Sequence, residues 1–293
     1  AGHLQPMGVV GQVHAVQANL RYPDSVRRAV EGADVVINLV AVMGSSGRQT
    51  LDAVNVAGAR AIAKAAREAG VRRVIHVSAI GADKKAAARY ARSKAQGEQA
   101  VLEEFPDAVV VRPSIVFGPE DHFFNRFGAM AQTAAAIPIF GALPLIGGGK
   151  TKFQPVYVGD VADAVVAALD NPQAQGRVYE LGGPHIYSFK ELMQFIRRET
   201  DRNAPLAHLP FVLAHPLGLV LEWVFKLVPF AAPPLTGDQV TMLHNDNIVG
   251  ADPAALTLQD LGVTQLESIE SIAPTYLWRF RPYGQFQTRQ SPA

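Results

Sequence analysis

The sequence predicts an α/β fold built on a doubly wound parallel sheet, and three observations lead to this prediction. First, short continuous apolar runs recur along the chain, most clearly VVINLVAV at 35–42, VRRVIHVSA at 71–79 and AVVVRP at 108–113. Runs of this length are typical of strands that are buried on both faces, as parallel sheets require. Second, segments with helical spacing of apolar residues lie between these runs, and this alternation favours parallel strands joined by helices. Third, the 293 residues are 48% hydrophobic and 18% charged, so the chain can bury a full core.

The individual elements follow from local signals. A strand is predicted over Val9–Val16, followed by a short helix in which Pro23 suits the first turn and Gly32 the end. After the strand at 35–42, apolar residues at helical spacing predict a helix over Gln49–Ala69. The remaining predicted elements are, in order, the strand at 71–79, a helix over about Ala86–Glu104, strands over Ala108–Pro113 and Val178–Leu181, and a helix opened by a capping box at Ser188–Glu191.

Composition excludes several classes of function. The net charge of +1 comes from interspersed charges, without the basic face that nucleic-acid binding needs. The absence of cysteine excludes disulfides, thiolate zinc sites and cysteine-ligated iron–sulfur clusters. No run of 18 uninterrupted apolar residues occurs, so we expect no transmembrane helix. The first residues, AGHLQPMG, contain neither a signal peptide nor an initiating methionine, and we expect an interior starting point.

A tyrosine and a lysine lie four residues apart in the segment YARSK at 90–94. This spacing places Tyr90 and Lys94 on the same face of a helix. We expect the nearby cation to stabilise the phenolate and to lower the pKa of Tyr90 from about 10. With Ser78 to orient a carbonyl or an alcohol, the three groups can pass a proton while a nicotinamide passes a hydride. A chance pairing is the alternative, because one such pair is weak evidence by itself.

The predicted topology brings further residues to the same place. In doubly wound sheets the ligand lies beyond the carboxyl ends of the strands, where the loops converge on a crevice. Ser78 lies at the end of one predicted strand, and Tyr90 and Lys94 lie on the helix after it. We therefore predict that this crevice is lined by Asn19, Leu20, Leu39, Val40, Ala41, Ser78, Tyr90, Lys94, Pro113, Ser114, Ile115 and Val116.

One expected feature of a dinucleotide site does not occur in the sequence. No GxGxxG or GxxGxxG follows an early strand, although a pyrophosphate needs close backbone approach and a helix N-terminus. The glycine cluster IGGGK at 146–150 is interpreted as a flexible loop, because it does not lie between a strand and a helix. If the crevice binds a dinucleotide, we expect the first strand–turn–helix upstream of Ala1.

The order of the motifs resembles that of the extended and atypical short-chain dehydrogenase/reductases, which have a Rossmann-type fold. The resemblance runs through about the first 185 residues and is carried by NLVAV, VNVAGAR, HVSAIG, YARSK, RPSIVFGP and QPVYVGDVADAV. It implies that Ser78, Tyr90 and Lys94 are the catalytic set and that Lys94 also bonds the nicotinamide ribose. It further implies that Asn55 helps to order the active-site helix and that Pro113–Val116 lines the nicotinamide.

A narrower resemblance covers nearly the whole chain. The segments EDHFFNRF at 120–127, LTLQDLGV at 256–263 and YLWRFRP at 276–282 are similar to those of the dinucleotide-binding accessory subunits of respiratory complex I, NADH:ubiquinone oxidoreductase. This resemblance implies a tightly held NADP(H), with NAD(H) left open, and no established turnover. It also implies docking on other complex I subunits of the peripheral arm at the inner membrane, on the cytoplasmic side in a bacterium or the matrix side in a mitochondrion.

The C-terminal part is predicted to form a smaller, mainly helical domain. The predicted boundaries are 1–118 and 151–183 for the dinucleotide-binding domain, 119–150 and 184–275 for the small domain, and 276–293 for an extended tail. Phe211 to Phe230 is almost wholly apolar apart from His215, Glu222 and Lys226, so it is either core or a surface for a partner or a membrane. The aromatic and arginine-rich tail can order on neighbouring subunits. No metal site is predicted, because His122, His208 and His244 lack ligand spacing.

Two functions remain open at this point. The first is a non-catalytic accessory subunit of complex I that binds NADP(H) as a structural ligand and supports assembly of the peripheral arm. The second is a free-standing NAD(P)-dependent reductase, isomerase or epimerase, which the presence of Ser78, Tyr90 and Lys94 keeps possible.

Overall fold

The computed structural model describes residues 4–136, 142–225, 233–250, 252 and 254–285. Its strands, in chain order, are β1 Val35–Asn38, β2 Arg73–Val77, β3 Val109–Pro113, β4 Val116–Phe117, β5 Leu143–Ile146, β6 Lys152–Phe153, β7 Val156–Tyr157, β8 Val178–Leu181, β9 Tyr187–Ser188, β10 Leu206–Leu209 and β11 Leu256–Thr257. Its α-helices are α1 Pro23–Val30, α2 Ala59–Glu68, α3 Arg89–Glu104, α4 Phe124–Ala136, α5 Val158–Asp170, α6 Phe189–Thr200, α7 Phe211–Phe225, α8 Gly237–Met242, α9 Ile269–Ile272 and α10 Pro274–Leu277.

The central sheet has the order β1-β2-β3-β8-β11, and all of its strand pairs are parallel. Alternate residues face opposite sides, because side chains alternate along a strand. Val74 of β2 packs with α1 and α2, whereas Ile75 packs with α5. Helices therefore cover both faces, and the predicted doubly wound parallel sheet is confirmed.

The strand predicted over Val9–Val16 is wrong. These residues form no strand, and Val9, Val10 and Val16 are exposed. A strand needs a hydrogen-bonding neighbour and an apolar surface to cover it. Within the described part of the chain, β1 pairs with β2 alone, and the segment at 9–16 does not pair with the open outer edge of β1. The apolar pattern predicted an extended segment, but it does not show whether another strand pairs with that segment.

Several other elements differ in detail from their predictions. β1 ends at Asn38 rather than Val42, because the Asn38 side-chain oxygen accepts a hydrogen bond from the Val40 backbone N–H at 3.1 Å and turns the chain. The helix predicted over Gln49–Ala69 contains a π-helical segment at Asp52–Gly58 before α2. The IGGGK segment forms a 3-10 turn in which Gly147 packs closely against Phe211, so it is a packed turn rather than a flexible loop.

A second apolar cluster lies in the C-terminal part. It brings together buried residues of α4, β5, α6, α9 and α10, including Phe124, Leu143 and Met193. The capping box at Ser188 and Glu191 is confirmed. Residues 276–285 do not form an extended tail, because Tyr276 is buried and Phe280 packs on this cluster. Residues 286–293 lie outside the described part. We retain the boundaries of the dinucleotide-binding domain and of the small domain given above as a proposal.

None of the helices in the described ranges combines the length and the apolar character that crossing a membrane requires. The segment Phe211 to Phe230 is described only as far as Phe225, the last residue of α7.

The contact between α3 and the π-helical segment generates a stability prediction. A Cβ added at Gly97 of α3 would lie 2.2 Å from the backbone oxygen of Asn55, a separation that packed atoms cannot adopt. We expect Gly97→Ala to lower the free energy of unfolding by about 2–3 kcal/mol, because the helix must move away from its neighbour. Urea unfolding measures this change. Gln96→Ala, at an exposed position of the same helix, is the control and should change stability by less than about 0.5 kcal/mol; equal effects of the two substitutions would contradict the close approach.

Candidate functional site

The loops that follow β2 and β3 are joined side by side at the carboxyl edge of the sheet. The Ser78 backbone N–H donates to the Val111 carbonyl at 2.7 Å, and the Ile80 N–H donates to the Pro113 carbonyl at 3.0 Å. The sheet order places the loop after β1 next to them. Half of the predicted cofactor residues therefore belong to three neighbouring loops, and Pro113 and Val116 flank the third of these loops.

Helix α3 brings Lys94 to this edge. The Lys94 side chain is 3% exposed, and its Nζ donates a hydrogen bond of 2.8 Å to the carbonyl of Val77, the last residue of β2. Tyr90 lies one turn earlier on the same helix and is half-buried. The structure thus places Lys94 at the end of β2, next in the chain to Ser78, with Tyr90 one turn earlier on α3, and the joint role of the three residues stays a prediction.

The electrostatics of the pair differ from the expectation. Burial raises the pKa of Tyr90 to about 12, and burial lowers the pKa of Lys94 to about 8 against the opposing effect of Glu98. Both Glu98 carboxylate oxygens accept hydrogen bonds from Arg112, at 2.9 and 2.7 Å. The prediction that Lys94 lowers the pKa of the Tyr90 phenol is wrong, because the ammonium is directed at a backbone carbonyl and desolvation of the phenol dominates. At neutral pH Tyr90 is a hydrogen-bond donor.

Two buried polar atoms of β2 and its following loop have no hydrogen-bond partner among the described residues. They are the Ser78 hydroxyl and the His76 Nε2. The Asn38 oxygen accepts from Val40, so its amide nitrogen donates to His76 Nδ1 at 3.0 Å and places the ring proton on Nε2. Burial, and secondarily Lys94, lowers the pKa of His76 to about 3, which keeps the ring neutral. Buried donors are rarely left unpaired, so both atoms mark a place where a ligand or water belongs.

Sequence reasoning missed His76. It stands in the middle of the apolar run 71–79, and a polar residue inside a doubly buried strand was the available signal.

Asn55 connects this site to the π-helical segment. Its side chain donates to the Val42 carbonyl and accepts from the Val42 N–H, both at 2.9 Å, and it also donates to the Ser93 hydroxyl at 3.0 Å. The Ser93 hydroxyl in turn donates to the Tyr90 carbonyl at 2.7 Å. Asn55 therefore orders α3 against the loop after β1, which is the role that the resemblance implied.

The remaining predicted residues differ in their surroundings. Leu20 packs against Gly58, and the Asn19 side chain accepts from the Arg21 N–H. In the loop after β1, Leu39 is 68% exposed and Val40 is 48% exposed. Exposed apolar residues at the edge of a crevice offer surface that a ring or a sugar can cover.

The loop after β3 is more enclosed. The Ser114 hydroxyl is buried and donates to the side-chain oxygen of Asn247 at 2.6 Å, so its hydrogen-bonding capacity is used within the protein. Ile115 packs against the second cluster, and Val116 belongs to β4 and packs beside β7. Sequence reasoning missed Asn247, which lies 133 positions after Ser114 in the chain. We retain the lining role of Pro113–Val116 as a proposal.

No group of three or more metal-binding side chains occurs among the residues that the structure describes. His244 stacks on Phe211 with ring centroids 3.8 Å apart.

Comparisons with known proteins show which families this chain is similar to. Residues 3–182 match the NAD dependent epimerase/dehydratase family. The chain is 38% identical over 286 residues to NADH dehydrogenase [ubiquinone] 1 alpha subcomplex subunit 9, mitochondrial, of Rattus norvegicus, covering 94% of this chain and 71% of that protein. Its counterpart in Arabidopsis thaliana is 36% identical over 96% of this chain and 69% of that protein. A UDP-glucuronic acid 4-epimerase from Bacillus cereus, solved with NAD, shares the fold at a TM-score of 0.62, with 18% identity over 95% of this chain and 85% of that chain.

The lowered pKa of Lys94 generates a pH-dependent stability prediction. In the unfolded chain the lysine keeps its proton up to about pH 10.5, whereas in the folded protein it releases it near pH 8. Between these values the unfolded state binds more protons, so the free energy of unfolding rises with pH. We expect this rise to be absent in Lys94→Met when stability is measured by urea unfolding from pH 7 to 10.5.

The control for this measurement is Lys64→Met, which removes an exposed lysine of α2. It should retain the pH dependence of the unsubstituted protein. Parallel curves for the unsubstituted protein and Lys94→Met would show that burial does not favour the neutral amine.

Proposed function

Because this chain belongs to the NAD dependent epimerase/dehydratase family and to the family of complex I alpha subcomplex subunit 9 proteins, we propose that it is an accessory subunit of respiratory complex I. In this role it binds a nicotinamide dinucleotide as a structural ligand and supports the assembly and stability of the peripheral arm. The dinucleotide is NADP(H). Its partners are other complex I subunits.

The observation that carries this proposal is the unpaired Ser78 hydroxyl and His76 Nε2 at a buried site beside Lys94. Buried polar groups without partners cost free energy, about 1–3 kcal/mol each, and a polar ligand removes this cost. Ser78, Tyr90 and Lys94 would hold the nicotinamide end, with Leu39, Val40 and Ala41 beside it. When bound, a nicotinamide supplies a hydride carrier. A ligand that binds the folded state alone also stabilises it.

The pKa of Tyr90 favours a role in holding the dinucleotide over a role in catalysis. A general base needs a pKa near the working pH, but burial raises that of Tyr90 to about 12. The Lys94 ammonium, which would otherwise stabilise a phenolate, donates to the Val77 carbonyl. A free-standing reductase, isomerase or epimerase is the second candidate, and it is favoured by the presence of Ser78, Tyr90 and Lys94 at one strand end.

The surface of α7 supports a peripheral position. Its side chains at Val212, Leu213, Val220 and Trp223 are exposed although they are large and apolar. Such a surface is suited to a neighbouring subunit or to the headgroup region of a membrane. We propose that the C-terminal domain and tail contact other subunits at the inner membrane, on its cytoplasmic or matrix side.

Replacing Ser78 separates ligand binding from folding. Its hydroxyl has no protein partner, so we expect Ser78→Ala to leave the free energy of unfolding of the nucleotide-free protein unchanged or to raise it by up to about 1 kcal/mol. NADPH binding should weaken about five- to tenfold, because a ligand hydrogen bond is lost. Calorimetric titration and thermal unfolding with and without NADPH measure the two effects.

Ser93→Ala is the matched control. This hydroxyl is engaged by Asn55 and by the Tyr90 carbonyl, so its loss should destabilise the nucleotide-free protein by about 1 kcal/mol. If Ser78→Ala destabilised the nucleotide-free protein as much, Ser78 would be a structural residue instead of a ligand contact.

Replacing Tyr90 distinguishes the two candidate functions. Tyr90→Phe removes the proton donor and keeps most of the ring packing, so an enzyme should lose several kcal/mol of transition-state stabilisation. We expect the substituted subunit to copurify with complex I and to release NADP(H), identified by mass spectrometry, in the same stoichiometry as the unsubstituted subunit. A turnover of any hydroxy or keto substrate that Tyr90→Phe abolishes would favour the second candidate.

A further inference from the structure

We propose that Asp238 is a positioning residue that fixes the first turn of α3 and thereby couples the position of α7 and α8 to the nucleotide site. This inference rests on the proposed function, because it concerns the affinity for NADPH.

Helix α3 has no cap of its own. The residue before it, Ala88, is extended and has no side chain that can accept a hydrogen bond from the helix. The first backbone N–H groups of any helix lack partners within the helix. Here the two carboxylate oxygens of Asp238 accept the N–H groups of Arg89 and Tyr90, at 2.6 and 2.9 Å. The first turn that carries Tyr90 is therefore closed by a residue 148 positions away along the chain.

Asp238 is held by contacts that lead to α7. It is the second residue of α8, and the N–H of the first residue, Gly237, donates to the Glu222 carboxylate of α7 at 2.7 Å. Gly218 lets the two helices approach, because a Cβ added there would lie 2.7 Å from the Gly237 nitrogen and 2.8 Å from the Thr236 carbonyl carbon. A displacement of α7 therefore moves the start of α8 and the carboxylate of Asp238.

The consequence for ligand binding follows from where Tyr90 lies. As the second residue of α3, it is in the turn that unwinds first when the cap is lost. An apparent affinity falls by the fraction of molecules in the competent conformation. Coupling between two sites is reciprocal, so NADPH binding would also favour the position of α7 in which Asp238 caps α3. The outer face of α7 is apolar and exposed.

The first test compares NADPH binding by calorimetric titration of the full-length protein and two variants. We expect Asp238→Ala to raise the Kd about fivefold, which corresponds to the loss of an N-cap of about 1 kcal/mol. Adding Ala88→Ser, which supplies a local cap hydroxyl, should restore most of this affinity. Asp238→Asn keeps one acceptor oxygen and should lie between the two, which gives a second readout should Asp238→Ala fail to fold.

The second test asks whether a displacement of α7 changes NADPH affinity through Asp238. Gly218→Ala should raise the NADPH Kd about fivefold in the otherwise unsubstituted protein, and it should have no effect when Asp238→Ala and Ala88→Ser are both present. The control is Val212→Ala, at an 82% exposed position of α7, which should leave the Kd unchanged. A capping residue with a merely structural role would give Gly218→Ala the same effect in both backgrounds.

The outcomes separate the inference from the proposed function. If the unsubstituted protein binds no NADPH, the proposed function is wrong. If it binds NADPH and the Kd does not change in Asp238→Ala, or changes without restoration by Ala88→Ser, the inference alone is wrong.

Discussion

The close approach of α3 to the π-helical segment at 52–58 is the contact on which the rest of the site depends. Gly97 makes it possible, because no side chain separates the helix from the Asn55 backbone oxygen. At this distance the Asn55 side chain reaches Ser93 and the loop after β1 together. The same placement of α3 brings the Lys94 ammonium to the end of β2. The close approach at Gly97 thus joins the loop after β1 and the end of β2 to α3, the helix that carries Tyr90.

At this edge of the sheet, burial shifts the pKa values of Tyr90 and Lys94 more than their mutual attraction does. This balance sets which groups at the site are charged. A surface tyrosine beside a lysine would have a lowered pKa, because an opposite charge favours the phenolate. Here Lys94 is buried and Tyr90 is partly buried, so the phenol keeps its proton and the amine loses some of its preference for one. His76 is shifted in the same direction, to a pKa of about 3. The site is thereby lined with neutral donors near physiological pH, together with one cation, and such a lining suits a polar ligand.

Patterns that depend on local periodicity could be read from the sequence, and contacts between distant segments could not. Apolar runs predicted β2 and β3, and their order predicted that Ser78, Tyr90 and Lys94 would meet at one edge of the sheet. The run at 9–16 has the same local character but forms no strand, because pairing depends on a neighbour that periodicity does not reveal. Asp238 and Asn247 could not be found either. A carboxylate and an amide in a polar loop are common, and their roles arise from helix and strand ends that lie 133 to 148 positions away.

The C-terminal segment from 236 to 250 joins the two parts of the molecule at the site itself. Asp238 closes the first turn of α3, and Asn247 accepts from Ser114 and donates to the Ile80 carbonyl. Further along, the Gly250 N–H donates to the Glu180 carboxylate on β8. The segment therefore touches α3 and the ends of three strands of the sheet, β2, β3 and β8. A ligand seated among these elements would contact the segment, α3 and the strand ends at the same time, and would add to the hydrogen bonds by which the segment holds them, each worth about 1 kcal/mol. Because binding would oppose separation of all of them together, the dinucleotide proposed at this edge would stabilise the folded protein.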